Sequence, residues 1–122
     1  MLESDIVAHC APTLAGIKTA NMFNYLPDDM EKLHQEIQEE NCKLNSKGVY
    51  VEILRTGEKR ALIYVYRKNR LEADLNRKGA ESILQTCGYE CGETDCCLRK
   101  LQERFFQYEC FPHEVGLFLG YP

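Results

Sequence analysis

Two β-rich stretches joined by a four-residue turn constrain this chain most. Val49 to Arg55 alternates, with Val49, Val51 and Ile53 on one side and Tyr50 and Glu52 on the other, the pattern of a half-buried strand. Arg60 to Arg67 is different: Ala61, Ile63 and Val65 face one way and Leu62, Tyr64 and Tyr66 the other. A strand that is apolar on both faces is covered on both faces, which makes it the more central of the two. Thr56-Gly57-Glu58-Lys59 has the length and the glycine of a hairpin loop. The expected fold is α+β: a small antiparallel sheet (49–55 and 60–67, with an N-terminal strand as a candidate third member) covered by about four helices.

At 122 residues the chain is expected to form a single domain, 1–122. No apolar run approaches the length of a membrane span, so no membrane partner is expected. The first residues, Met1-Leu2-Glu3-Ser4-Asp5, are acidic and lack the basic and apolar regions of a secretory signal, which points to the cytoplasm. There the seven cysteines read as reduced thiols rather than a disulfide framework. A net charge of −4 disfavours nucleic acid as a partner.

Helices are expected around that sheet. Residues 6–12 read as a short strand or loop, with Pro12 opening a helix to about Phe23 whose inner face is Leu14, Ile17 and Met22. Pro27, followed by Asp28, Asp29 and Glu31, opens a second helix with the stripe Met30, Leu33, Ile37 and Leu44, stopped at Gly48. Asn69 caps a third, with Leu71, Leu75, Ile83, Leu84 and Cys87 inward and Gly79 as a weak point. Thr94 caps a fourth with the stripe Leu98, Leu101 and Phe105, and Pro112 restarts a short helical segment from His113 to about Leu119.

The candidate chemistry sits near the two ends. His9-Cys10 and Cys110-x-x-His113 together offer a Cys₂His₂ set, His9, Cys10, Cys110 and His113, suited to a tetrahedral transition metal such as zinc or iron. Alternatively, Cys10 before a helix N-terminus would be a thiolate nucleophile, with His113 as base and Glu114 orienting it. Lys18 and Asn21 would fall on roughly one face of the helix after Cys10 and, with His9, could hold an anionic or carbonyl ligand. Against these stands a plainer reading, in which the cysteines are small buried apolar groups and the chain is an interaction module. Cys87, Cys91, Cys96 and Cys97 are dense but fit no zinc spacing, and Cys87 and Cys97 read as core. Arg55, Arg60, Arg67, Lys68 and Arg70 with Tyr64 and Tyr66 resemble an RNA-reading strand surface, but solvated edge charges and core tyrosines suit the acidic total better.

The segments His9-Cys10-Ala11-Pro12-Thr13-Leu14-Ala15-Gly16-Ile17-Lys18 and Cys110-Phe111-Pro112-His113-Glu114-Val115-Gly116-Leu117-Phe118-Leu119-Gly120-Tyr121-Pro122 resemble the family of bacterial proteins known as domain of unknown function 3793. Ala61 to Arg67 is similar to that family's central strand, and Gly88-Tyr89 to one of its helix ends. The resemblance implies a cytoplasmic protein of an anaerobic Firmicute. It also implies truncation at the C-terminus, since relatives continue past Gly-Tyr-Pro. It supplies no activity. The functional expectation is a cytosolic protein that binds a small ligand or a metal through a His/Cys site formed by the two chain ends, with a cysteine hydrolase or transferase and a non-catalytic module as alternatives.

Overall fold

The structure, a computed structural model, describes residues 2–89, 94–107, 112 and 114–120, with Lys78 and Gln107 as backbone alone. Among the described residues the chain forms six helices and one three-stranded antiparallel sheet, an α+β fold. In chain order these are α1 (Leu2–Leu14), β1 (Ala20–Tyr25), α2 (Met30–Leu44), β2 (Val49–Thr56), β3 (Ala61–Arg67), α3 (Lys68–Leu75), α4 (Lys78–Thr86), α5 (Thr94–Gln107) and α6 (Val115–Phe118). The strand order is β1-β3-β2, so the strand that is apolar on both faces is central.

The alternation along β3 divides the interior into two cores. Ala61, Ile63 and Val65 point to the side covered by α1 and α2, where Leu2, Ile6, Cys10 and Leu33 meet Phe23, Val49 and Val51. Leu62, Tyr64 and Tyr66 point to the other side, against Leu71, Leu84, Leu98, Leu101, Phe105 and Phe118 from α3 to α6. Truncation of a fully buried leucine such as Leu101 in a core of this kind costs about 2–5 kcal/mol.

The N-terminal third departs from the expectation. The segment expected as strand or loop, 6–12, lies within α1, and the helix expected from Pro12 to Phe23 is instead the end of α1, a turn and β1. Leu2, Ile6, Cys10 and Thr13 are buried at helical spacing. Val7, 57% exposed, blurs that stripe in the sequence. Pro12 does not open α1 but bends it. It has no N–H for the carbonyl four residues back and its ring crowds that group, and the backbone leaves helical geometry at Cys10 (φ −117°, ψ 20°). The helix then closes at Gly16, φ 79°, with Gly16 N–H donating to Thr13 O (3.1 Å) and Ile17 N–H to Pro12 O (2.9 Å). This paired termination needs a left-handed residue, which glycine adopts without steric cost.

The expected third helix is two, α3 and α4, separated at Asn76–Arg77. Arg67, not Asn69, is its N-terminal flanking residue, and Ile83 is 48% exposed rather than inward. α2 begins at Met30 rather than at Pro27, and Thr94 is the first residue of α5 rather than the cap before it. Asp29 caps α2 by accepting from Glu31 N–H at 3.0 Å, and Gly48 (φ 81°) ends the turn after it.

The outer edge of β2 is closed by side-chain amides. Asn41 of α2 both donates to Val51 O (3.0 Å) and accepts from Val51 N–H (2.8 Å). Gln102 of α5 donates to Ile53 O at 2.8 Å. With its amide turned to satisfy both of its ends, Asn45 donates to Val49 O at 3.0 Å. The two helices reach round the edge from opposite faces, and the strand ladder stops there. Replacing Asn41 with Ala is expected to lower stability by about 1–3 kcal/mol, the worth of two bonds at a partly buried edge, measured as a shift in urea midpoint at unchanged m-value.

Candidate functional site

The expected site residues are distributed between the two cores. Cys10 is fully buried on the α1–α2 side. It sits at the kink of α1, outside helical geometry, and is followed by a single turn (11–14) rather than by the helix to about Phe23 whose dipole would favour a thiolate. Burial pushes its thiol up to about 12, with the charge of Lys18 opposing the rise. His9 is exposed and its ring stacks on Phe23 of β1, centroids 5.0 Å apart. Asn21 lies in β1, where its side-chain oxygen accepts from the Thr13 hydroxyl at 2.7 Å. Lys18 lies in the bend before β1, not on a helix face shared with Asn21.

Glu114, from the other expected pair, is 1% exposed on the opposite side of the sheet. It is bound by two partners that are distant in sequence. Arg104 of α5 forms an ion pair through Nε and approaches the second carboxylate oxygen with its terminal nitrogen at 3.4 Å. The Tyr89 hydroxyl donates to the first oxygen at 3.1 Å. Arg104 also donates to the Cys87 carbonyl at 3.3 Å. Burial first, and the adjacent carboxylate next, raise the ionisation range of Tyr89, so it remains a donor at neutral pH. Nearby, the Tyr64 hydroxyl donates to the Phe118 carbonyl. The Thr19 hydroxyl donates to Asp74, and Gly120 stands against this pair: a Cβ there would come within 2.9 Å of Thr19. These polar contacts fasten the C-terminal turn to the sheet.

Cys10 and Glu114 are therefore not brought together. Cys110 and His113 lie outside the described residues, as does Cys91. Among the described residues no three His, Cys, Asp or Glu side chains are grouped to hold a metal ion. Cys87 and Cys97 belong to or border the α3–α6 core as expected, and Cys96 is exposed.

Four of the five basic residues singled out in the sequence, Arg55, Arg67, Lys68 and Arg70, make contacts within the molecule. Arg67 donates to the carbonyls of Thr13 (2.7 Å) and Leu14 (2.6 Å), and Arg70 to Gly16 O (2.7 Å), so two cations close the negative end of α1. Lys68 lies 5.4 Å over the Tyr50 ring and 3.9 Å from Asp95, and Arg55 lies 5.6 Å over Phe105. Tyr64 and Tyr66 are core residues, stacked at 5.0 Å.

One concavity lies beside the closed part of the β2 edge. It has a volume of about 320 Å³ and is lined by His34 of α2, Ile53 to Thr56 of β2, and Gln102 and Phe106 of α5. A β-bulge between Ile53 and Arg55 turns the strand at this place. Phe106 is 91% exposed, a large aromatic side chain left in water beside the inward Phe105. The expectation from sequence omits this groove. Its signal is Phe105-Phe106, where only the first ring fits the helical stripe. Arg104 and Glu114 carry a fainter signal, an arginine three residues after Leu101 and a lone acid entering an apolar tail.

A three-stranded antiparallel sheet with helices on both faces, two separate cores and a groove beside β2 defines the protein as a small α+β domain with polar ties at its C-terminal turn. The chain belongs to the family described as "protein of unknown function (DUF3793)", which it matches over residues 6–122. No curated protein and no solved structure matches it. No helix among the described residues is long and apolar enough to cross a membrane.

Two outcomes follow from these contacts. Glu114→Ala is expected to cost about 3–5 kcal/mol, because it leaves the Arg104 charge and the Tyr89 hydroxyl without their buried acceptor; denaturant unfolding measures the loss, and Glu114→Gln should cost less. Because the folded Cys10 thiol holds its proton more tightly than the unfolded one, its contribution to stability is intact below pH 9.0 and is lost as pH rises toward about 12. Cys10→Ala should flatten the stability profile just above pH 9. In wild type at neutral pH, iodoacetamide should label exposed Cys42 and Cys96 well before Cys10.

Proposed function

We propose that this protein binds a small organic acid with an aromatic or branched apolar body, in the groove between α2 and α5, and that it is not a thiol enzyme. The observation that carries this reading is the lining of the groove: Ile53, Leu54 and the exposed ring of Phe106 supply apolar walls, while Arg55, His34 and Thr56 supply cationic and hydrogen-bonding groups. A mostly apolar concavity with a few convergent polar groups is the usual form of a small-molecule site, and about 320 Å³ is at the small end of that range. Burial and a raised ionisation range for Cys10 weigh against the nucleophile alternative. Cys10, Cys42, Cys87 and Cys96 are free thiols, which accords with a reducing cytosol in an anaerobic bacterium.

Thermal-shift and ligand-observed NMR measurements against aryl and branched-chain carboxylates, each matched to its neutral amide, test the proposal. The acids are expected to raise the melting temperature and the amides to do so weakly or not at all. Phe106→Ala and Arg55→Gln should each reduce the response. Equal behaviour of acids and amides, or an undiminished response in Phe106→Ala, would overturn it.

A further inference from the structure

The two outer strands treat their edges differently. Along β2 the carbonyls of Val49, Val51 and Ile53 accept from Asn45, Asn41 and Gln102, and the Val51 N–H donates to Asn41. Along β1 the Arg67 N–H to Thr19 O bond (2.9 Å) and the register with β3 turn Asn21, Phe23 and Tyr25 toward β3. Antiparallel alternation then turns the N–H and C=O of Met22 and Asn24 outward. Among the described residues no side-chain or backbone group bonds them. The strand, Ala-Asn-Met-Phe-Asn-Tyr, has none of the lysine, proline or bulge that ordinarily protects such an edge.

We infer that β1 pairs with β1 of a second copy of this chain, in antiparallel register about a two-fold axis at Phe23, joining two three-stranded sheets into one of six strands. In this register Met22 and Asn24 of each copy face Asn24 and Met22 of the other, and their outward groups form four main-chain hydrogen bonds across the axis. Phe23 meets Phe23 as a pair without mutual hydrogen bonds, the arrangement in which side chains are closest. Each of these rings carries its own His9 stacked at 5.0 Å. Exposed Leu26 falls opposite buried Ala20 of the second copy. The flanks select the register: Lys18 precedes the strand and Asp28 follows it, so an antiparallel partner brings unlike charges together at both ends. A symmetric contact of this kind closes on itself and ends at two copies, because the amide-covered β2 edges point outward.

Sedimentation equilibrium of the full chain over a concentration series, with far-UV circular dichroism as a check on folding, tests the pairing. Wild type is expected to dimerise. Asn24→Pro removes an outward N–H that the monomer does not use, and should weaken association at least about tenfold with an unchanged dichroism spectrum. Lys18→Asp and Asp28→Lys should each weaken association, and the double variant should restore it, an outcome that loss of folding cannot produce. A monomeric wild type, a dimer that Asn24→Pro leaves intact, or a charge swap without restoration would each overturn the inference.

Discussion

Everything else in this structure is hung on one strand. β3 shares backbone hydrogen bonds with β1 on one side and β2 on the other, and its side chains enter both cores. Ala61 to Tyr66 are all buried, with Ala61, Ile63, Tyr64 and Val65 fully so. A segment of this kind has no solvent-facing side to absorb change, and its register is specified from two faces at once. The helices are layers laid over it, and the Tyr64 hydroxyl extends its reach to the last helical turn through the Phe118 carbonyl.

The two cores do different work. The α1–α2 side is almost wholly apolar around the sheet, and the ionisable groups buried in its cluster, Cys10 and Tyr25, are both pushed by burial toward their neutral forms. The α3–α6 side contains the charged and hydroxyl contacts: Arg104 with Glu114, Tyr89 with Glu114, Thr19 with Asp74. Buried ion pairs add little net stability over apolar packing but are expensive to break singly. Their position fits a role in fastening one arrangement of the short terminal helix, α6, which at four residues has little stability of its own.

Sequence patterning conveys the parts of the fold that rest on local rules. The hairpin is legible from alternation and a glycine-bearing loop, α2 from the stripe Met30, Leu33, Ile37 and Leu44, α5 from the stripe Leu98, Leu101 and Phe105, and the centrality of β3 from its apolar faces. The N-terminal third is not legible, because exposed Val7 and Ile17 dilute the helical stripe and because Pro12 is as suited to opening a helix as to bending one. The site is legible only in pieces. Glu114 is a marked residue in an apolar tail, but Arg104 and Tyr89, ten and 25 positions away, are joined to it only by folding. The amides Asn41 and Gln102 look like ordinary helix surface until a strand edge is placed beneath them. The groove, too, exists only once a bulged strand and two helices are side by side.

The clasp of Arg67 and Arg70 on the carbonyls that end α1 has a wider consequence. These arginines leave the junction of β3 and α3, which also supports the opposite layer, so the first helix is stitched to the hinge of the second half of the chain. Peeling that helix from the sheet would strip two guanidinium groups of their acceptors at the point where the halves join. Local fraying is thereby converted into a cost shared by both layers, and a domain with two interiors is drawn toward melting as a unit.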